Sequence, residues 1–223
     1  MVFRKRRRTS ESAQPISLRA ESTSLGNLDI VQVGNPVLRQ RARALSAAEI
    51  CSREIQQLIA SMRTRMHEAP GVGLAAPQIG RSLQLAVIED RKEYHKEVLE
   101  EQLRERERRP VPFHVIINPS FEVIGEETAE FFEGCLSLAG FTALVTRARA
   151  VRVECLDERG HEKVIEASGW YARILQHEID HLTGTLYIDR MQARSFTSLE
   201  NWSTFSKGKP VKLIKEELEL KSD

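Results

Sequence analysis

The sequence predicts a fold in which helices and antiparallel strands occupy separate stretches of the chain. Two observations lead to this prediction. Short segments with the alternation and the β-branched residues typical of strands fill much of the stretch between positions 113 and 166. Apolar residues at helical spacing occur before and after that stretch. An antiparallel sheet is the economical arrangement, because short strands joined by tight turns can pair directly.

The chain has 223 residues, which suits one domain with a sizeable core and tails at both ends. We expect a basic segment over residues 1–28, either a disordered tail or a targeting segment. A folded domain is expected over 29–192 and a C-terminal extension over 193–223. The basic residues begin at Arg4, and no apolar run follows them as it would in a secretory signal.

Composition argues against several classes of function. The formal net charge is +1, so no long-range field draws the whole domain to nucleic acid. No run of about eighteen apolar residues occurs, so no segment is predicted to cross a membrane. The three cysteines are few, and an odd number leaves at least one unpaired, so a disulfide scaffold is not expected and a reducing compartment is favoured.

The first predicted helix covers residues 46–68, because Ser46 and Glu49 have the spacing of a capping box ahead of an apolar stripe. Residues 71–80 are too rich in glycine and proline for a helix and are predicted to form an ordered loop. Residues 83–89 alternate between apolar and polar side chains well enough to predict a strand.

Residues 90–110 contain seven acidic and seven basic residues and are predicted to be a solvated surface excursion. Later elements follow from strand and helix signals. Strands are predicted over 113–118, 121–124, 129–132, 150–156 and 162–166, and helices over 170–182 and 211–220.

One motif within the 170–182 helix points to chemistry. His177, Glu178 and His181 belong to an HExxH sequence, and histidines four residues apart project from one face of a helix. Such a pair can chelate one metal ion with a glutamate beside it. Ile174 shares this face and would limit the access of water. Two packed or surface histidines are the alternative, but the adjacent glutamate favours a metal site.

A catalytic ion usually has a third protein ligand, and residue patterns leave it open. A metzincin would have a histidine where this chain has Tyr187. A gluzincin would use a downstream glutamate, and Glu200 has that offset. Cys135 follows a glycine, although a lone cysteine is more often a small buried hydrophobe. A closed structural zinc site would need a fourth ligand and would have no use for Glu178.

Three segments together resemble the signature motifs of the peptide deformylase family. They are GVGLAAPQIG at 71–80, EGCLSL at 133–138 and QHEIDHLTG at 176–184, within a match over roughly residues 30–191. The resemblance implies an α+β fold with antiparallel β-sheets packed around a central HExxH helix, an N-terminal helix and a short C-terminal helix. It also implies that residues 29–192 form a catalytic domain that removes the formyl group from the N-terminal formylmethionine of new polypeptides.

The resemblance makes Cys135, His177 and His181 the metal ligands and Glu178 the acid/base. Glu200 then loses its claim to the metal. One divalent ion per chain is expected, with Fe²⁺ as the native metal and Zn²⁺, Ni²⁺ or Co²⁺ as substitutes. Ligand types cannot choose among them, because imidazole and thiolate suit iron(II) and zinc alike. The ion would lower the pKa of its water to near 7, and Glu178 would pass the proton to the leaving amine.

The resemblance also assigns residues around the reacting group. The Gln78 side-chain amide and the Leu136 backbone N–H match the family's donors to the oxyanion. Gly73 matches the position whose backbone pairs with the extended substrate. The methionine side chain would enter an apolar slot, for which ordinary core packing is the alternative; its expected lining residues are Val72, Trp170, Arg173 and Ile174.

Asp180 lies inside the HExxH motif and is predicted either to orient a histidine or Arg147, or to be a solvated helix acid. Two departures from the commonest deformylase pattern lie beside the expected cleft. Ala139-Gly140 replaces a turn that usually contains proline, and 90–110 is an insertion. They put peptide preference beyond methionine in doubt, and not the chemistry.

The expected partners are N-formylmethionyl nascent peptides, without DNA or membrane. Lysines from Lys207 onward could make transient ribosome contact, but nearby glutamates such as Glu216 favour a solvated amphipathic end. A monomer or a homodimer is expected. The location would be cytoplasmic in a bacterium, or a mitochondrion or plastid in a eukaryote.

Overall fold

The computed structural model describes residues 28–96 and 98–220. All but the last residue of the expected N-terminal segment therefore lies outside the described residues. The helices are α1 (Ala47–Ile50), α2 (Arg53–Glu68), α3 (Glu100–Glu105), α4 (Gly169–Leu182), α5 (Leu199–Phe205) and α6 (Val211–Glu217). The strands are β1 (Gly73–Ala75), β2 (Leu85–Asp90), β3 (Val111–Val123), β4 (Thr128–Gly134), β5 (Phe141–Ala148), β6 (Ala150–Leu156), β7 (Glu162–Ser168) and β8 (Thr197–Ser198).

The strands form two antiparallel sheets where residue patterns suggested one. A five-stranded sheet has the order β1-β2-β3-β6-β7, and a three-stranded sheet has the order β4-β5-β8. Neighbouring strands are antiparallel throughout both sheets. The α+β class is confirmed.

Each face of the five-stranded sheet is covered by a helix. Successive side chains of a strand point to opposite faces. Leu85 and Val87 of β2 therefore share a core with α2, whereas Ala86 and Ile88 share a core with α4. Fully burying a leucine or valine side chain stabilises the fold by about 1.5–3 kcal/mol. Helix α4 also contacts β5, so it lies against strands of both sheets.

The predicted 46–68 helix is two helices. The capping box at Ser46 is confirmed, but α1 ends at Ile50 and Ser52 begins α2 by accepting a hydrogen bond from the Ile55 N–H (3.3 Å). Serine competes well as an N-cap because its side chain satisfies a free N–H group of the first turn.

The predicted loop over residues 71–80 contains β1 and a 3₁₀ turn, Ala76–Ile79. Glycine and proline content suggested irregular backbone, but residues 73–75 gain antiparallel pairing with β2. Only tertiary pairing makes this segment a strand. Its position at the edge of the five-stranded sheet leaves one side of β1 unpaired with any other described strand.

The two strands predicted over 113–118 and 121–124 are one continuous strand, β3. Asn118 and Pro119, at the junction of the two predicted strands, make a local irregularity in the pairing with β6. Asn118 adopts φ +51°, and its side chain bonds both the N–H (2.9 Å) and the carbonyl (2.7 Å) of Leu45. These contacts hold the bulge against the segment that precedes α1.

The 90–110 insertion is only partly solvated. Asp90 is buried, and its carboxylate accepts two hydrogen bonds from Arg108 (2.8 and 2.9 Å). The Arg106 guanidinium lies 5.0 Å from the Trp170 ring centroid. The backbone carbonyl of Arg106 accepts a hydrogen bond from the backbone N–H of Trp170. The insertion therefore packs against the first turn of α4, which charge counting did not indicate.

The remaining predicted elements are confirmed with shifts of a few residues at their ends. Strands β5 and β8 and helices α3 and α5 were not predicted. Most of β5 is buried, so it lacks the alternation typical of a strand with one wet face. Within the described residues, no helix combines the length and apolar character needed to span a bilayer.

The first prediction concerns Gly184, directly beyond the end of α4. Gly184 has φ +79°, and a Cβ there would lie 2.8 Å from the backbone carbonyl of Arg39. Gly208 has a similar φ of +85°, and no atom of the described residues lies within 4 Å of its Cβ position. We expect Gly208→Ala to lower the free energy of unfolding by about 1 kcal/mol through backbone strain. Gly184→Ala should lower the free energy of unfolding by about 1–3 kcal/mol more than Gly208→Ala does, because the backbone at Arg39 must move to make room for the added methyl group. Urea unfolding of both variants measures the difference, and equal losses would contradict the packing argument.

Candidate active site

The metal-ligand candidates meet where the second sheet approaches α4. His177 and His181 lie one turn apart on α4, with ring centroids 5.0 Å apart. Cys135 directly follows β4, and its Sγ lies 3.3 Å from His181 Nε2. The ligand atoms of these three residues all lie within 4.8 Å of one another. They form a candidate metal-binding group with the donor types expected from the sequence.

The two other positions weighed as a third ligand are not in this group. Glu200 is exposed on α5. Tyr187 is buried and stacks against His177 with ring centroids 6.3 Å apart. The group within the described residues therefore contains the cysteine and excludes the glutamate of a gluzincin.

Glu133 holds the second sheet to the histidine helix. This buried residue near the end of β4 accepts a hydrogen bond from His177 Nδ1 (2.9 Å) and two from Arg147 (both 2.9 Å). It also pairs with Arg173 of α4. Burial alone would raise its pKa, but the bonds from His177 and Arg147 hold the pKa of Glu133 well below its usual range. Because Nδ1 is engaged, His177 presents Nε2 to the metal group.

Asp180 adds a second carboxylate to this ionic network. It is buried and accepts hydrogen bonds from Arg147 and, at 2.7 Å on each oxygen, from Arg190. The alternative of a solvated helix acid is wrong. Asp180 holds Arg147, and Arg147 in turn holds Glu133, so the aspartate acts on His177 through two intervening residues.

The two histidines differ in their electrostatics. Burial lowers the pKa of His181 well below its usual value, which favours neutral imidazole. Burial acts in the same direction on His177, but its bonds to Cys135 and Glu133 raise its pKa well above the usual value. A histidine binds a metal ion as neutral imidazole and a cysteine as thiolate, so ion binding would release a proton from this group.

Glu178 lies beside the metal group and is only 3% exposed. Burial raises its pKa to about 7, which suits a group that both accepts and donates a proton near neutral pH. Its Oε2 has no hydrogen-bond partner among the described residues. Gly73 makes room for it, because a Cβ at that position would lie 2.8 Å from Glu178 Cγ and closer still to the carboxylate.

Gln78 is oriented by the strand that precedes it. The Ala75 N–H donates to Gln78 Oε1 at 2.8 Å, so the amide nitrogen faces the opposite way and lies 3.5 Å from Cys135 Sγ. Leu136, next to Cys135, lines the same cavity as Gln78. The two expected oxyanion donors therefore both lie next to Cys135.

These groups open into a cleft of ≈ 440 Å³. Val72, Trp170, Arg173 and Ile174 all line it, as do Gly73, Cys135, His177 and Glu178. Arg173 does not bring a free charge into the cleft, because its guanidinium pairs with Glu133. Burial lowers the pKa of Arg173 to about 10, which leaves it protonated at neutral pH.

A family model described as polypeptide deformylase matches residues 27–196. The chain belongs to this family. The resemblance seen in the three motifs is thereby confirmed. Members of the family are metal-dependent hydrolases that act on N-formylmethionyl peptides.

Individual relatives span plants and bacteria. Peptide deformylase 1A, chloroplastic, of Solanum lycopersicum is 49% identical over 173 residues, which cover 78% of this chain and 62% of that protein. Peptide deformylase 3 of Streptomyces avermitilis is 45% identical over 194 residues, covering 86% and 84%. The chain therefore spans less than two thirds of the tomato relative and more than four fifths of the Streptomyces one.

Solved structures give the same family. The Met-Ala-Ser-bound class I type b peptide deformylase from Acinetobacter baumannii has a TM-score of 0.65 and 31% identity, covering 74% of this chain and 98% of that one. The Synechococcus elongatus peptide deformylase in complex with actinonin has a TM-score of 0.63 and 38% identity, covering 75% and 82%.

Sequence reasoning missed Glu133 and three apolar residues of the cleft, Phe132, Phe141 and Leu199. A signal for Glu133 was present, because an acidic residue directly after Phe131-Phe132 in a predicted strand must be paired if buried. Phe141 and Leu199 belong to elements that were not predicted. No local pattern connects either residue to the HExxH helix.

The second prediction tests the ionic network. Glu133→Gln leaves the buried Arg147 and Arg173 without their shared carboxylate, and we expect the free energy of unfolding to fall by about 3–5 kcal/mol. Glu166→Gln is the matched control, since Glu166 is an exposed partner of Arg152 and should matter little. Chemical denaturation of the metal-free proteins separates this effect from metal affinity. Equal stability of the two variants would contradict the role assigned to Glu133.

Proposed function

We propose that this chain removes the formyl group from the N-terminal formylmethionine of new polypeptides. The observation that carries the proposal is one cluster, in which Cys135, His177 and His181 bring three ligand atoms within 4.8 Å beside the buried Glu178. Family membership supplies the substrate class. A peptidase that uses Glu200 finds no support, because that side chain is exposed outside the cluster.

The residues of the cluster suit a divalent ion. Two imidazoles and a thiolate are a donor set that iron(II) and zinc both accept. His181 Nδ1 is buried without a hydrogen-bond partner among the described residues, and the other ring nitrogen, Nε2, lies 3.3 Å from Cys135 Sγ. Fe²⁺ as the native metal, with Zn²⁺, Ni²⁺ or Co²⁺ as substitutes, stays a prediction. Metal analysis of protein purified without oxygen checks it.

The ion, when bound, supplies Lewis acidity and makes water a nucleophile near neutral pH. Glu178 accepts the proton that the attacking water loses and delivers it to the nitrogen of the leaving amine. Its raised pKa makes both transfers accessible at neutral pH. Exclusion of solvent from this carboxylate keeps the proton available for return.

The oxygen of the formyl group gains negative charge as its carbon becomes tetrahedral. The amide of Gln78 and the backbone N–H of Leu136 donate hydrogen bonds to this oxygen. Gln78 is held in advance by the Ala75 N–H, so its amide nitrogen need not reorganise during the reaction. Loss of one such donor costs about 3 kcal/mol of transition-state stabilisation.

The substrate lies extended along the free edge of β1, where the backbone of Gly73 pairs with it. The methionine side chain enters the apolar part of the cleft formed by Val72, Trp170 and Ile174, whose rigid walls suit an unbranched thioether. In this arrangement α4 is the central catalytic helix, with the catalytic domain over residues 29–192 and the extension over 193–223. Transient ribosome contact, a monomeric or homodimeric state, and a bacterial or organellar location stay predictions.

The third prediction tests the reaction. Metal-loaded protein should release formate from formyl-Met-Ala-Ser and leave its peptide bonds intact. Glu178→Gln should lower kcat/KM by about 10²–10⁴-fold, because proton transfer is lost, while bound metal is retained. Glu200→Gln serves as the exposed control. Formate assay, peptide mass analysis and metal analysis give the three readouts. Cleavage of the Met-Ala bond without formate would overturn the proposed function.

The fourth prediction tests the metal ligands. Cys135→Ser should weaken metal affinity by more than about 100-fold, the upper limit for residues that only support a ligand. Cys51→Ser is the matched cysteine control, because Cys51 is exposed and free. Competition with a chelator of known affinity measures the change. Tolerance of Cys135→Ser together with loss of metal in Glu200→Ala would support the peptidase alternative.

A further inference from the structure

The segment Thr197–Phe205, which we name the rim segment, follows the family match and is attached to the mouth of the cleft. Its strand β8 pairs with the start of β5, with Ser198 opposite Phe141 and Thr197 opposite Thr142. The Leu199 N–H donates to the Gly140 carbonyl at 2.9 Å. These bonds fix the backbone of Leu199 at the mouth of the cleft.

Leu199 lines the cleft that contains the metal group, although it lies outside the matched residues 27–196. Phe141, which lies opposite Ser198 in the β5–β8 pairing, also lines the cleft. The register places Gly134 opposite Thr142, so Phe141 lies beside the Gly134–Cys135 end of β4. Phe141 and Leu199 therefore line the cleft on the side of β5 and β8, close to the Gly134–Cys135 end of β4.

The rim segment and the adjoining residues Phe141 and Phe196 expose large apolar side chains at the mouth of the cleft. Phe141 is 42% exposed and Leu199 47%, and Phe141 stacks on Phe196 at 5.1 Å with an interplanar angle of 9°. The charged residues that line the cleft lie on α4 and at the end of β4, and the adjoining Ala139 and Gly140 add no charge. Contiguous exposed apolar surface beside a reaction site favours an apolar ligand group.

We propose that Phe141 and Leu199 bind a large apolar or aromatic side chain of the substrate, one or two residues after the formylmethionine. This inference rests on the proposed function and adds a substrate preference to it. The occupant is the nascent peptide because the rim and the metal group share one cleft. An extended peptide advances about 3.3 Å per residue, so the second and third residues would lie about 3 and 7 Å beyond the methionine.

The test compares kcat/KM for formate release from formyl-Met-Ala-Ser, formyl-Met-Phe-Ser and formyl-Met-Ala-Phe, with the full-length metal-loaded protein. A phenylalanine at one of the two positions should raise kcat/KM about tenfold over formyl-Met-Ala-Ser. Leu199→Ala should reduce this advantage to about twofold, since most of the contact is removed. Leu199→Met should keep it, because the side-chain volume is similar.

The ratio between peptides is measured on the same protein sample, so an inactive or unfolded fraction cancels. Leu213→Ala is the matched control, because Leu213 on α6 is 48% exposed and does not line the cleft. It should leave the ratio unchanged. Equal rates for all three peptides, or an advantage that survives Leu199→Ala, would overturn the inference.

Two further outcomes have distinct meanings. Equal rates for all three peptides together with a dimer at the assay concentration would show that a second copy of the chain occupies the rim, and would overturn the inference. Formate release from none of the peptides would instead refute the proposed function. Release from all three at equal rates would refute the rim site alone.

Discussion

The buried carboxylate of Glu133 joins the two parts of the molecule that supply the candidate metal ligands. Cys135 comes from the end of β4, whereas both histidines come from α4. Glu133 lies two residues before the cysteine and bonds His177 and Arg173 of the helix. A shift of β4 along α4 would break these bonds and leave charges unpaired in the interior, which is costly. The spacing between thiol and imidazoles is therefore set by an ionic contact.

The five-stranded sheet makes this contact possible by supporting α4 from the other side. Small residues on that side bring backbone and helix close together. Gly73 is the clearest case, because the Glu178 side chain occupies the space of its missing Cβ. Glu178 is thus packed against an edge strand that lines the cleft. In the proposed function, proton transfer and substrate pairing take place on two sides of this one glycine.

The HExxH spacing predicted the helix and the shared face of its histidines, because both follow from local helical geometry. No comparable local geometry identifies the third metal ligand. Cys135 is 42 positions before His177, and only the resemblance of three motifs selected it over Glu200. Glu133 and the buried strand β5 required knowledge of which distant segments pack together. Ser52 shows the reverse case, in which a local signal was overlooked. The apolar stripe continues through this residue, but its side chain caps a new helix and divides the predicted one.

The departure from the commonest deformylase pattern at Ala139-Gly140 and the rim segment belong to one structural unit. Gly140 adopts φ +84°, in the left-handed region that favours glycine. In this conformation its carbonyl accepts the hydrogen bond from Leu199. A β-branched residue at position 140 would be strained in this conformation, and a change of the backbone there would redirect the carbonyl away from the start of α5. The chemistry of the site depends on β4 and α4, whereas the shape of its mouth depends on one glycine and a segment that follows the family match.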